Sequence, residues 1–433
     1  MQTRFSPEQL ADPTTHESET VIRRCVHCGF CTATCPTYVL LGDELDSPRG
    51  RITLMKEMLE RGETPTREVV THVDRCLSCL ACETTCPSGV SYRRLVDHAR
   101  SYIEATYRRP LGDRMLRGML AAILPYRRRF ATAARLGRMV RPLAPVMERW
   151  EALRPLAAML RLSRRPPPVP AYRACRTAPV RRRVAMLEGC VEPVMGAHVQ
   201  ATARRLLERM GCEIVTVSGA GCCGAMPQHL GQGERAEDFA RANVDAWSRA
   251  IAAGVDTIVV TASGCGSVLK DYGHLLRSDA RYVEAAQRIS ARVRDVTELV
   301  AELGLPDGVL GDDAPVVAYH PACSLQHGQR VRDMPKALLE HAGFVVMLPW
   351  EAHLCCGSAG TYNILQPAIA SQLGARKAAA LDTGRPRAIA TGNIGCMAQI
   401  AQYTDTPLVH TVELLDWATG GPMPPALVQA RKA

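Results

Sequence analysis

Two runs of four cysteines, each closed by a proline, constrain this 433-residue chain more than any other feature. The first is Cys25, Cys28, Cys31 and Cys35 before Pro36; the second is Cys76, Cys79, Cys82 and Cys86 before Pro87. Both read C-x2-C-x2-C-x3-C-P, the spacing that holds cubane iron–sulfur clusters. A thiolate is a soft donor and suits iron–sulfide chemistry. Three closely spaced cysteines can reach three irons of one cube, and the fourth, followed by proline, is directed away. Zinc knuckles or redox-active CxxC pairs would use some of these cysteines. Neither needs two complete runs with both prolines.

The runs resemble those of bacterial two-cluster ferredoxins. That resemblance implies crossed ligation, one [4Fe–4S] on Cys25, Cys28, Cys31 and Cys86, the other on Cys76, Cys79, Cys82 and Cys35. Crossing would fasten the runs together and bring the clusters close enough to pass electrons. Between the runs, Ser47 and Pro48 suit a helix cap and first turn, Ile52, Met55 and Leu59 recur at helical spacing, and Gly62 suits the stop. Tyr92 to Tyr107 again predicts a helix, with Leu95, Val96, Ala99 and Ile103 on one face. Helices between and after the runs make residues 21–107 similar to the all-α di-cluster ferredoxin module of succinate dehydrogenase iron–sulfur subunits. Residues 1–20 read as an arm, mobile or draped.

Hydrophobic residues make up 47% of the chain, which suits a globular protein with several cores, while aromatics are only 5%, so aliphatic side chains must do most of the packing. No apolar run reaches transmembrane length, and Met1 to Thr20 lacks the apolar stretch of a signal peptide. Eighteen cysteines without an export signal point to metal ligation in a reducing compartment, hence a cytoplasmic protein. The net charge of +10 is uneven: residues 108–183 carry twenty Arg, no Lys and three acids, a local excess of +17. This connector reads as helical fragments broken by Pro110, Pro125, Pro142, Pro145 and Pro155, then a stiff linker, Pro166 to Pro170. Its arginines suit a solvated face, an acidic partner, or an anionic surface on the inner face of the membrane. Nucleic acid is the rival ligand for such charge, but no recognition motif accompanies it, so none is expected.

From Arg183 the texture becomes α/β, with strands predicted at Val184–Leu187, Glu213–Val217, Thr257–Thr261, Val316–His320, Phe344–Leu348 and Ala388–Thr391, separated by helices. The cysteines repeat with this pattern. Cys190 to Cys222 spans 32 residues, as does Cys323 to Cys355; Cys223 to Cys265 spans 42 and Cys356 to Cys396 spans 40. The chain is therefore duplicated, with repeats at 184–304 and 305–433. Each repeat carries one thiol set: Cys190, Cys222, Cys223 and Cys265, then Cys323, Cys355, Cys356 and Cys396. Each thiol follows a strand, where open α/β sheets place their sites. Iron is the leading ligand, with zinc, a catalytic thiol pair or buried structural cysteine as alternatives. Cys175 and Cys212 fall outside the scheme and read as structural. His27, His229, His320 and His327 lie near cysteines, and packing or hydrogen bonding is their default role.

Both repeats resemble the cysteine-rich CCG domain of heterodisulfide reductases, whose cysteines hold an unusual iron–sulfur centre. That pattern ends in CxxC, whereas here the last positions are Val268 and Gln399, one thiol short in each repeat. A ferredoxin pair followed by two CCG repeats, with SPRGR at 47–51 and TGNIGC at 391–396, resembles the iron–sulfur subunits of glycolate oxidase. Subunits of anaerobic glycerol-3-phosphate dehydrogenase and lactate-utilisation proteins share the layout, and a heterodisulfide-reductase-like thiol module is the alternative chemistry. The fold expected is multidomain: an α-helical ferredoxin module, then two pseudo-symmetric α/β CCG repeats. No GxGxxG follows a strand, no P-loop appears and no flavin or nicotinamide site is evident. Two-electron oxidation of an alcohol needs such a cofactor. The resemblance thus implies an electron-transfer subunit with no catalytic residue of its own. It would carry two [4Fe–4S] clusters and one or two further centres in the CCG repeats. It would take electrons from FAD-binding partner subunits that oxidise glycolate and pass them toward a membrane quinone.

Overall fold

The structure, a computed structural model, describes residues 1–169, 179–308, 310 and 315–430. Cys175 lies outside the described residues, as does Pro170 at the end of the proline linker. The N-terminal module is helical. Helix Pro48–Arg61 begins where the sequence signals it: the Ser47 hydroxyl accepts from the Gly50 amide, Pro48 fills the first turn, and Gly62 ends the helix at φ +66°. Its inner residues Ile52, Met55, Met58 and Leu59 join Leu95, Val96, Ala99 and Ile103 of helix Tyr92–Thr106 in one core. Residues such as Met55, Leu95 and Ile103 are fully buried. Each contributes about 1.5–3 kcal/mol of apolar transfer. Helix Pro13–Arg24 lies on Tyr92–Thr106, with Val21 and Ile22 in the same core and Ser18 hydrogen-bonded to His98 at 2.7 Å. Residues 1–20 are thus held against the module; the Met1 amine reaches the Cys25 carbonyl at 2.8 Å.

The second half holds two four-stranded parallel sheets of identical topology. The first comprises β1 (Arg182–Met186), β2 (Cys212–Val215), β3 (Thr257–Val260) and β4 (Val293–Asp295), in the order β2-β1-β3-β4. The second comprises β5 (Val316–Tyr319), β6 (Val345–Met347), β7 (Ala388–Thr391) and β8 (Leu408–His410), in the order β6-β5-β7-β8. Every pairing is parallel, and β3 and β7 are buried at all four positions, as expected of strands covered on both faces. The edge strands β4 and β8 are not expected from the sequence. At three residues each, they show no periodicity.

The repeats share a core. Val184, Leu206 and Leu299 of the first pack in one cluster with Val317, Leu339, Val409 and Leu415 of the second. Asp416, fully buried, accepts from Arg205 at 2.5 Å and Arg209 at 2.8 Å, tying the halves by charge as well. The connector forms helices Leu111–Ile123, Arg127–Val140, Ala144–Met147 and Arg154–Leu162. Its inward residues Leu120, Leu124, Phe130, Met159 and Leu162 pack with Ile364 and Met226, so it roofs the junction between the repeats. Two arginines at its start are structural: Arg109 and Arg117 reach the Asp74 carboxylate at 2.7 and 2.9 Å.

Candidate iron–sulfur sites

In the helical module the two cysteine runs interleave. Cys25, Cys28, Cys31 and Cys86 line one small cavity of about 30 Å³, edged also by Cys82. Cys35, Cys76, Cys79 and Cys82 line a second, of about 20 Å³. The fourth cysteine of each run therefore sits with the first three of the other. Left-handed backbone at His27, Gly29, Ser78 and Leu80 curls each run around its cavity. The helix starting at Pro36 carries the chain away from the first run, and the short helix Ala81–Thr85 carries Cys82 within the second.

The SPRGR segment builds the wall beside Cys35. Gly50 is required there, because a Cβ would lie 2.0 Å from the Glu44 carbonyl oxygen. That close approach lets Arg51 enter the interior, where it is 1% exposed. Its guanidinium donates to the His72 carbonyl at 2.6 Å, Thr37 Oγ1 at 3.0 Å and Asp46 Oδ1 at 3.1 Å, and lies 3.8 Å from Cys35 Sγ. Asp46 also accepts from Arg75 at 2.8 Å. A buried cation is thus fixed beside a thiol set that must become anionic to bind iron. Burial, then repulsion from neighbouring thiols, pushes the bare Cys79 and Cys82 thiols well up. Four thiolates so enclosed need a cationic group among them, which iron–sulfur ligation would supply.

Each cysteine-rich repeat assembles its thiols at the carboxyl ends of its strands. Cys190 and Cys323 follow β1 and β5, the Cys222–Cys223 and Cys355–Cys356 pairs follow β2 and β6, and Cys265 and Cys396 lie in the first turns of helices after β3 and β7. The glycine closing each pair has positive φ, +86° at Gly224 and +85° at Gly357. A Cβ would lie 2.9 Å from the Ala236 carbonyl oxygen at Gly224 and 2.7 Å from that of Ala370 at Gly357. Only glycine lets the chain turn there while the following helix presses close. In the first repeat the neighbouring Cys190 and then Cys223 thiols hold Cys222 well below the usual thiol range, while Cys190 and Cys223 are themselves pushed up. In the second repeat Cys323 Sγ and Cys355 Sγ are 3.6 Å apart. His320, Cys356 and Cys396 place a ligand atom each within 4.8 Å of one another, and all three are buried.

The two sets face one cavity of about 400 Å³ beneath the connector, lined by Cys190, Cys222, Cys265, Cys323, Cys355 and Cys396. The ends of the two sheets meet there, with Ser263 and Ser324 hydroxyls 2.8 Å apart. The helical module abuts the second set: Cys79 and Cys323 both pack against a cluster of Leu77, Cys355 and Tyr362. Thr84 and His327 (2.7 Å) and the twin bonds of Arg94 to Asp271 (2.6 Å each) clamp the module to the repeats.

Cys212 is buried in the shared core on β2, away from both sets, a structural position. His229 lines the large cavity and His327 is hydrogen-bonded. His320 lies beside the second thiol set. It is wholly buried, and neither ring nitrogen has a hydrogen-bond partner. A sequence signal exists, three residues before Cys323, but nothing in the pattern distinguishes a buried ligand from a packed ring.

Comparison with known proteins agrees with this division. Residues 21–90 match the family model of a 4Fe-4S dicluster domain, and residues 184–270 and 317–401 each match that of a cysteine-rich domain. The chain is 41% identical to the glycolate oxidase iron-sulfur subunit of Escherichia coli K12, across 96% of this chain and 99% of that one. It is 32% identical to the probable glycolate oxidase iron-sulfur subunit of Bacillus subtilis 168, across 87% of each. Lactate utilization protein A of Geobacillus thermodenitrificans is 25% identical, over 50% of this chain and 90% of its own. Among solved structures, a hypothetical protein from Helicobacter pylori shares the fold over 96% of this chain and 74% of its own, with TM-score 0.55 and 12% identity.

Proposed function

The chain belongs to the family of glycolate oxidase iron–sulfur subunits, and from that premise we propose that it is the electron wire of a glycolate-oxidising complex. In this reading two [4Fe–4S] clusters occupy the helical module, on Cys25, Cys28, Cys31 and Cys86 and on Cys76, Cys79, Cys82 and Cys35. Further iron–sulfur centres occupy the thiol sets of the repeats at 184–304 and 305–433. The partner is an FAD-binding subunit that oxidises glycolate to glyoxylate; electrons arrive singly and leave toward a membrane quinone.

The observation that carries this reading is the continuity of the thiol sets. Cys82 borders both cubane cavities, Cys79 of the second packs beside the Cys323–Cys355 set, and that set shares a cavity with Cys190, Cys222 and Cys265. Cys28 is the one exposed cysteine among the described residues, and Val26 and Phe30 beside it are 68% and 63% exposed. This end suits docking of an electron donor, with the far end lying under the connector. What this chain's own residues contribute is position and field: Arg51 beside Cys35, the glycine turns at Gly224 and Gly357, and the packing of Cys79 beside the Cys323–Cys355 set. The clusters, when bound, supply one-electron redox chemistry.

The test is glycolate-dependent reduction of a quinone or dye by the assembled complex. Cys28→Ser is expected to abolish it while glycolate still reduces the partner flavin. Undiminished reduction in cells lacking this chain would contradict the proposal.

A further inference from the structure

We infer that His320 is an iron ligand of the second cysteine-rich site, which makes the two duplicated sites chemically different. The inference rests on the proposal that the repeats bind iron, and extends it to a residue type that the cysteine pattern does not contain.

The geometry is specific. His320 follows β5, and its backbone amide is held by the Ala390 carbonyl of β7 at 2.8 Å. That fixes the residue at the centre of the sheet's carboxyl edge. Its ring reaches within 4.8 Å of Cys356 Sγ and Cys396 Sγ, and it is 0% exposed. Neither Nδ1 nor Nε2 is hydrogen-bonded to protein. Buried polar atoms without partners are rare and call for an explanation such as an ion. A neutral imidazole is a good iron ligand and works alongside thiolates, as in the His₂ iron of Rieske centres.

The position where a fifth thiol would complete the CxxC holds Gln399, and it is engaged elsewhere. Gln399 accepts from Asn363 at 3.1 Å and donates to the Ala370 carbonyl at 2.9 Å. His320 therefore restores a fifth donor to Cys323, Cys355, Cys356 and Cys396 from a different element of the site. The duplication supplies an internal control. Cys190 and Cys323 correspond, 133 residues apart, so the counterpart of His320 is Leu187, which packs in an apolar core with Trp247 and Val260. Lys377, whose ammonium donates to the Glu351 carbonyl at 2.7 Å, corresponds to the buried Asn243, since Ala370 meets Gly357 as Ala236 meets Gly224. The first site thus has an aliphatic side chain where the second pairs its thiols with an imidazole.

The test uses the full chain, labelled with 15N-histidine and 57Fe and reconstituted anaerobically, in wild-type form, as His320→Leu, which copies the first repeat, and as His320→Cys. Pulsed EPR of the reduced or oxidised protein should show a directly coordinated histidine nitrogen in wild type, lost in both variants. Mössbauer spectra, which also detect diamagnetic iron, should lose or alter one non-cubane component in His320→Leu and regain it in modified form in His320→Cys. Unchanged cubane signals in each variant report that the chain has folded. A wild-type non-cubane component with no histidine coupling, or one unaltered by His320→Leu, overturns the inference. So does zinc in place of iron at this site. If iron is confined to the cubanes, the inference fails while the ferredoxin part of the proposed function stands; if the chain binds no iron, the proposed function itself fails.

Discussion

Arg51 shows how one side chain serves both fold and site. It is a cation with almost no access to water, stabilised by Asp46, Thr37 and the His72 carbonyl, and it faces Cys35. Removing one partner from a buried charged network costs about 3–5 kcal/mol. Arg51→Met should therefore lower unfolding stability by that order in denaturant melts, and should lower the reduction potential of the cluster held by Cys35, because the extra electron loses a neighbouring cation. An unchanged potential in an EPR-monitored redox titration would detach Arg51 from the cluster. Glu413 makes a separate pH prediction. Burial raises its carboxyl to about 7, against the lowering effect of its bond from the His410 amide and the opposed fields of Asp416 and Arg205; His198 lies 3.8 Å away. A native carboxyl that keeps its proton above the unfolded value near 4.5 stabilises the fold at low pH and loses that advantage as pH rises toward 7. Relative to Glu413→Gln, the wild type should thus lose stability between these limits, by of order 3 kcal/mol. Equal pH slopes in the two proteins would refute the shift. Motif reading finds the start of the Arg51 helix from Ser47 and Pro48, but Asp46, His72 and Thr37 come together only through the fold.

At the scale of elements, what is legible in the sequence follows from periodicity and turns. The predicted helix Tyr92 to Tyr107 is observed as Tyr92–Thr106, and the six expected strands appear with their cysteines at the carboxyl ends. The edge strands β4 and β8 are not legible. They are short, and β4 reads Val293-Arg294-Asp295, with a single apolar residue. The connector is legible as broken helices but not as a roof, since which face of a helix packs depends on what lies beneath it. Its outer side carries Leu136, Met139, Leu143 and Trp150, 55–77% exposed, among the exposed Arg135, Arg141 and Arg149. No helix among the described residues is long and apolar enough to cross a membrane. Apolar residues interleaved with arginine suit a peripheral seat on anionic lipid. The full chain should co-sediment with vesicles containing anionic lipid and be released by salt, and Arg135→Glu with Arg141→Glu should weaken binding several-fold. Equal retention on purely zwitterionic vesicles would argue against this seat.

At the scale of the molecule, duplication explains most of the architecture. Matching cysteine offsets in the sequence, equal or within two residues, become two sheets of the same strand order, packed so that both thiol sets open into one cavity. What duplication hides is the difference between the copies: Leu187 against His320 and Asn243 against Lys377 are single positions in an otherwise repeated frame. The placement of the helical module, with Cys79 beside the second set, follows from contacts such as Arg94 with Asp271 that join residues far apart in sequence. In the proposed function these thiol sets hold iron as one electron path. Iron and acid-labile sulfide determination on the anaerobically reconstituted full chain, read with EPR of the dithionite-reduced protein, tests it most directly. About eight irons and eight sulfides are expected from the two cubanes, with further iron from the repeats, and reduced cubanes whose signals broaden through mutual magnetic coupling. Trace iron, or zinc in its place, would contradict it.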